Sequence, residues 1–314
     1  MNCQRENRTH AFMRTAVGAM AVLFIFWSAA WAVERHPVYK PDYKRVTLDD
    51  IFEVIRTTGK FGEEQEEKPE LTETEYEEIF KQTGLGKPAV DYLIENSKDY
   101  ESEIKAYQKI FFDGYPYTCA KIGLLTYNER MRDKNGHLLK GLELVDLEPG
   151  DILINFSAHT LGYRHGHCAI VVSKPAKGEE AETIEALYLG EPTEYQTTGK
   201  WRSCPTLVHL RISKEAAESK GYTQAELGRL MSEYAEGNCL NIDYGLFPSM
   251  SNIQDRKIHK THCSHLIWYI FKQFGYDVDS NGGIVVTPAD IAESDVFEVV
   301  QIYGIDPDLK EESR

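Results

Sequence analysis

The strongest single signal in the chain is the segment THCSHLIWYIFKQF, which runs from Thr261 to Phe274. Its apolar residues predict a buried helix that begins at Cys263 and is ended by Gly275. Cys263 lies where a polar stretch becomes this helix, so unpaired backbone N–H groups and the positive end of the helix dipole converge on its sulfur. Both favour a thiolate, and the N–H groups of Cys263 and Ser264 can hold an oxyanion. The alternative is a buried structural or disulfide-bonded cysteine.

A base for this nucleophile is offered by the segment YRHGHCAIVV, residues 163–172. His167 directly precedes the apolar strand Cys168–Ser173, so a rigid element anchors it, and a histidine that leads a buried strand needs a polar partner. His165 points the same way two residues earlier, with an exposed loop histidine as the alternative. Alternation along the strand predicts that Cys168 faces away from His167, which makes Cys168 a poor alternative nucleophile.

A third group usually orients the imidazole of such a pair. Glu185 is the acidic residue within the next predicted strand, Thr183–Leu189, so it can lie beside His167 across the sheet. A carboxylate there would fix the tautomer of His167 and stabilise its charged form. The alternative is a strand glutamate that faces solvent.

Several short motifs in this order resemble one family. They are Gly150-Asp151-Ile152-Leu153, His167 leading a strand, Cys263-Ser264 opening a helix, and Thr287-Pro288-Ala289-Asp290 with Ser294. The pattern is similar to the permuted papain-like cysteine hydrolases of the YiiX/YebB type, relatives of the NlpC-type cell-wall peptidases, and covers roughly residues 146–303. The resemblance implies an α+β fold in which an antiparallel sheet packs on the helix that carries the nucleophile. It also implies Cys263 as nucleophile, His167 as base, Glu185 as third member, and an acyl-enzyme intermediate. His265 departs from the family, which has an acidic residue at that position.

We therefore expect a cysteine hydrolase that cleaves an amide or peptide bond, with cell-wall peptide material as its substrate and no cofactor. Candidate residues of the substrate groove are His165, Tyr244 and His265. Acyl-lipid hydrolysis or acyl transfer by the same Cys–His site is the alternative reaction. A non-catalytic envelope binding module with a papain-like shell is the alternative of another class, because fold does not establish function.

A zinc site is the remaining alternative. Potential ligands are His165, His167, His259, His262, Cys263 and His265. Their spacing matches no common zinc motif, so we expect no metal.

The flanking regions complete the predicted organisation. Residues 33–145 form an arm and a helical region, 146–305 the hydrolase domain, and 306–314 a charged tail. Further strands are predicted at Asp151–Phe156, Thr206–Ile212, Ile284–Val286 and Val296–Val300. A Thr223-x-x-Glu226 capping box opens one more helix.

The first 32 residues have the pattern of a secretory signal peptide cut after Ala32, with an uncleaved membrane anchor as the alternative. This predicts a secreted, periplasmic or envelope-associated protein. The net charge of −15 becomes −17 without these residues, which disfavours nucleic acid or an anionic membrane as the main partner. Cleavage also removes Cys3, so that five of the six cysteines remain. An odd number leaves at least one free thiol, and Cys119, Cys168, Cys204 and Cys239 allow up to two disulfides whose pairing stays open.

Overall fold

The computed structural model describes residues 39–58, 71–114, 118–119, 126–141, 143–160, 163–176, 178–248, 250 and 257–307. The predicted signal peptide, residues 1–32, lies outside them, as does the side chain of Cys119. Among the described residues, no helix combines the length and the apolar character that crossing a bilayer requires.

Eight α-helices are present in these ranges. They are α1 (Asp49–Thr58), α2 (Glu73–Thr83), α3 (Lys87–Asn96), α4 (Tyr100–Asp113), α5 (Lys214–Ser219), α6 (Gln224–Asn238), α7 (Cys263–Gln273) and α8 (Pro288–Glu293). The strands are β1 (Thr118–Cys119), β2 (Thr126–Asn128), β3 (Met131–Arg132), β4 (Ile152–Asn155), β5 (Ala158–Thr160), β6 (Tyr163–Arg164), β7 (His167–Val171), β8 (Glu182–Glu185), β9 (Glu194–Thr197), β10 (Leu207–Ile212), β11 (Asp243–Tyr244), β12 (Lys260–Thr261) and β13 (Phe297–Tyr303).

Six of the strands form one antiparallel sheet in the order β13-β10-β4-β7-β8-β9. Together with the helices it confirms the predicted α+β class. Smaller sheets pair β1 with β3, β5 with both β2 and β6, and β11 with β12.

The six-stranded sheet lies between two layers of helices, because both of its faces are apolar. One face packs on α7 and its neighbours through Ile152, Ile154, Cys168, Ile170, Ile184, Val208 and Leu210. The other packs on the N-terminal helices through Leu153, Ala169, Val171 and Val300. The predicted boundary at residues 145/146 therefore does not separate two cores, since the N-terminal helices share one with the sheet.

Capping explains several helix boundaries. Thr72 with Glu75 opens α2, Gly84 ends it in the left-handed conformation at φ 73°, and the predicted box of Thr223 with Glu226 opens α6. Close approach requires glycine where α6 meets the turn before β4, since a Cβ on Gly150 would lie 2.4 Å from the Cα of Gly228.

Two predicted strands differ from the observed ones. Ile284–Val286 is not a strand, because Thr287 caps α8 directly behind it and residue 284 is 92% exposed. The predicted strand Thr183–Leu189 ends at Glu185, after which the chain leaves the sheet and returns as β9. β9, α5 and the 3-10 turn Thr198–Ser203 that follows β9 were not predicted.

Candidate active site

Cys263 is the first residue of α7, as the sequence predicted. His262 precedes the helix with extended backbone angles, and its Nδ1 accepts a hydrogen bond from the backbone N–H of His265 at 3.3 Å. The Ser264 hydroxyl donates to the carbonyl of Val286 at 3.0 Å. The N–H groups of Cys263 and Ser264 have no acceptor within the helix and remain available for a ligand.

The surroundings of Cys263 favour its thiolate. Interaction with the Cys168 thiol, and then with His167 and His262, holds the pKa of Cys263 well below its usual value, although burial acts to raise it. The residue is 6% exposed. These neighbours meet the requirement of a reactive cysteine, a stabilised thiolate near neutral pH.

His167 lies between Cys263 and Glu185. Gly166, at φ 78°, turns the chain immediately before it, and a Cβ there would lie 2.8 Å from the carbonyl oxygen of Asn155. The Nε2 atom of His167 lies 2.6 Å from Oε2 of Glu185, which leaves Nδ1 for Cys263. Burial opposes a charged ring, but hydrogen bonds to Cys263 and Glu185 and the charges of both raise the pKa of His167 to about 9.

Glu185 is fully buried and has four donors. Besides His167, the Lys200 ammonium lies 2.7 Å from Oε2, while the Thr183 hydroxyl and the Trp201 indole N–H donate to Oε1 at 2.7 Å and 3.2 Å. Burial acts to raise its pKa, but the hydrogen bond and charge of His167 and then those of Lys200 lower it to about 2. The carboxylate is therefore ionised throughout the physiological range.

Together these groups can support covalent catalysis. At neutral pH the thiolate of Cys263 faces a charged His167, which a permanently ionised carboxylate holds in place. This is the arrangement of nucleophile, base and orienting acid that acyl transfer uses.

Two of the three groove candidates lie near the nucleophile. Tyr244 lies within electrostatic reach of Cys263, and its pKa is raised chiefly by burial, so its hydroxyl stays protonated. Burial lowers the pKa of His165, and the negative charge of Cys263 partly opposes this lowering. His265 is different, because it is fully buried with Nδ1 3.0 Å from the Thr261 hydroxyl. Its ring supports the start of α7 and does not face a groove.

Cys168 faces away from His167 as predicted, since it packs with Ile170 on the sheet face that carries α7, while Ala169 and Val171 pack on the other face. It nevertheless adjoins Cys263 and helps to lower the pKa of that residue. Cys168 is itself a poor nucleophile, since burial and the neighbouring Cys263 raise its pKa well above the usual value.

Sequence reasoning missed Lys200 and Trp201. They lie in a 3-10 turn without apolar periodicity, so no pattern linked them to Glu185. The sequence offered one indication of their role, the adjacent lysine and tryptophan that follow the strand containing Glu185.

Neither a disulfide nor a metal cluster is formed by the described cysteine side chains and the potential zinc ligands. Cys168, Cys204, Cys239 and Cys263 are all free and buried. Within the described residues, no group of three or more His, Cys, Asp or Glu side chains is arranged to hold a metal ion.

The chain was compared with protein-family models, curated proteins and solved structures, and none of them matches it.

Proposed function

We propose that the protein is a cysteine hydrolase that cleaves an amide or peptide bond through an acyl-enzyme on Cys263. The observation that carries the proposal is the position of the His167 imidazole, which interacts with Cys263 and whose Nε2 lies 2.6 Å from Glu185. A buried histidine that serves only packing has no need of a thiolate partner with a lowered pKa.

The proposed reaction has two steps. The Cys263 sulfur attacks the carbonyl carbon, the N–H groups of Cys263 and Ser264 hold the oxyanion, and His167 gives its proton to the leaving amine. His167 is then neutral and takes a proton from water, which attacks the thioester and releases the acid. Glu185 keeps the ring in place throughout, and the Tyr244 hydroxyl near the thiolate is a further donor for the substrate.

The permuted papain-like fold is part of this proposal. Its support is the chain order, with His167 on a central strand and Cys263 opening a later helix, and the packing of that helix on an antiparallel sheet. By the same resemblance we propose cell-wall peptide material as the substrate and a secreted, periplasmic or envelope-associated location.

Acyl-lipid chemistry is the second candidate, and one observation favours it. Leu246 and Phe247 follow Tyr244 by two and three residues, and their side chains are 57% and 83% exposed. Exposed apolar side chains mark contact with an apolar ligand, a membrane or a partner, and an acyl chain is one such ligand. The same Cys263 and His167 would then act on an ester.

The test is turnover by the full chain on muropeptides, simple amides and acyl lipids, compared with Cys263→Ala. We expect cleavage of a peptide or amide substrate that falls to background in Cys263→Ala. Cys239→Ala is the matched control, since Cys239 is also a buried free thiol, with a pKa that burial raises to about 12. Hydrolysis of acyl lipids alone would favour the second candidate. Full activity in Cys263→Ala would reject both, and circular dichroism of each variant shows that the fold is retained.

A further inference from the structure

We propose that Lys200 and Trp201, adjacent residues of the 3-10 turn Thr198–Ser203, are positioning residues that fix the orientation and the charge of the Glu185–His167 pair. The inference rests on the proposed cysteine chemistry at Cys263. Neither residue touches the nucleophile in the described contacts, so both act through Glu185 and His167.

Lys200 shares one carboxylate oxygen with the histidine. Its Nζ lies 2.7 Å from Oε2 of Glu185, the atom that accepts from His167 at 2.6 Å. An ion pair between an exposed lysine and an exposed carboxylate contributes little to the free energy of folding. Glu185 is fully buried while the Lys200 side chain is 27% exposed, so the lysine supplies the buried carboxylate with a counter-charge from the solvent side.

Trp201 contacts both members of the Glu185–His167 pair. Its indole N–H donates to Oε1 of Glu185 at 3.2 Å, alongside the Thr183 hydroxyl at 2.7 Å, so the carboxylate cannot rotate freely. Its ring also stacks on His167 with centroids 5.6 Å apart and planes 15° apart. One turn of chain therefore restrains both the plane of the imidazole and that of its acid.

The charges of the site alternate in a row. Cys263 and Glu185 are negative, while His167 and Lys200 are positive, so the row is neutral before and after a proton moves from sulfur to imidazole. Removing the positive charge of Lys200 leaves a net negative site, which favours protonation of every remaining member. Without Lys200 we therefore expect the pKa of Cys263 to rise, so that the thiolate gives way to the thiol at a higher pH.

Other ionisable groups face this row and stay unchanged when Lys200 is substituted. They are Cys168, His262 and Tyr244 around Cys263, His165 beside His167, and Cys204 with Arg130 beside Glu185 and Lys200.

The experiment measures the rate of Cys263 alkylation by iodoacetamide against pH in the full chain, which needs no substrate. We expect Lys200→Gln to move the acidic limb of the profile up by about one pH unit, and Lys200→Arg to keep it in place. Trp201→Phe retains a ring but loses the N–H, so a smaller shift is expected. Lys174→Gln is the matched control, since Lys174 pairs with Glu148 in another part of the molecule.

A profile of Lys200→Gln that superimposes on that of the unsubstituted protein would overturn the proposal. If Lys200→Gln does not fold, Lys200→Met and Trp201→Phe provide the same comparison. On an active substrate we expect Lys200→Gln to lower kcat about tenfold or more with KM nearly unchanged, since orientation acts on the reacting groups. A shifted alkylation profile in a protein that hydrolyses nothing would retain the positioning role and reject the hydrolase, whereas turnover with an unshifted profile would do the reverse.

Discussion

The sheet contains two buried pairs of a histidine and a carboxylate, and only one of them is a candidate for chemistry. His167 lies 2.6 Å from Glu185, and His209 lies 2.8 Å from Asp151. Each carboxylate also contacts a basic side chain, Lys200 in the first pair and Arg211 in the second. In isolation the two arrangements look alike.

They differ at the far side of the imidazole. His167 faces the thiolate of Cys263 and is 7% exposed. His209 is fully buried, and its Nδ1 has no hydrogen-bond partner within the described part of the chain. A buried acid therefore orients a histidine in both places, but the orientation acquires a chemical use only where a nucleophile adjoins the ring.

Removing the imidazole of His167 and, separately, that of His209 gives the largest expected difference between the two pairs. We expect His167→Ala to lower kcat/KM by about 10³-fold, since a positioned general acid–base contributes roughly 10²–10⁴. We expect His209→Ala to lower the melting temperature while each folded molecule keeps its activity within about threefold of the unsubstituted protein. Steady-state kinetics, normalised to active sites titrated with an alkylating reagent, separate the two effects. Equal losses of turnover would contradict the distinction.

Removing the charge of each acid sharpens the same contrast. Glu185→Gln retains the shape of the side chain but not the charge that stabilises a protonated His167, so we expect kcat to fall about 10²-fold. Asp151→Asn removes the buried charge that pairs with both Arg211 and His209, leaves Arg211 only its contacts with Asp146, and is expected to cost about 3 kcal/mol of unfolding free energy. Urea unfolding monitored by circular dichroism measures the second effect. A stable Asp151→Asn protein with impaired turnover would place the second pair in the mechanism.

The pH dependence of turnover should report the first pair only. Because the pKa of His167 is raised to about 9, its charged form persists through neutral pH and is lost as the pH rises through about 9. We therefore expect kcat/KM to be flat near neutrality and to fall above about pH 9, as the acid that protonates the leaving group disappears. His209→Ala should leave this limb in place. Activity that continues to rise through pH 9 would exclude a charged His167.

The smallest predicted effect concerns the neighbour of the nucleophile. Cys168→Ala removes the neighbouring thiol that most lowers the pKa of Cys263, so we expect that pKa to rise by about one unit. Cys168→Ser, which keeps a donor, is the matched control. The pH dependence of Cys263 alkylation measures both variants, and a profile of Cys168→Ala identical to that of Cys168→Ser would remove Cys168 from the activation of the thiol.

Much of the site was accessible from sequence because its parts lie at the boundaries of regular elements. Cys263 opens a strongly apolar helix, His167 opens an apolar strand and Glu185 ends the next one. The structure brings these three predicted residues together. The predicted strands at the centre of the sheet were also confirmed. Local sequence pattern predicts the positions of these residues, and a single sequence contains that pattern.

The parts that could not be predicted depend on contacts distant in sequence. Lys200 and Trp201 reach Glu185 from an irregular turn, and Cys168 reaches Cys263 although alternation placed it away from His167. The turn between 282 and 287 contained apolar residues that resembled a strand, but capping by Thr287 determined its structure. Tertiary contacts of this kind override local preference and leave no periodic trace.

The chain order of the site has a consequence for biosynthesis. During translation His167, Glu185 and Lys200 are made well before Cys263, and the thiol comes to lie beside Cys168 and His167 only when α7 packs on β7. In an unfolded chain the same cysteine has an ordinary pKa of about 8.5 and is mostly protonated at neutral pH. A nascent or misfolded molecule therefore carries a comparatively inert thiol, and folding itself switches on the reactivity that could otherwise cross-link unfinished chains.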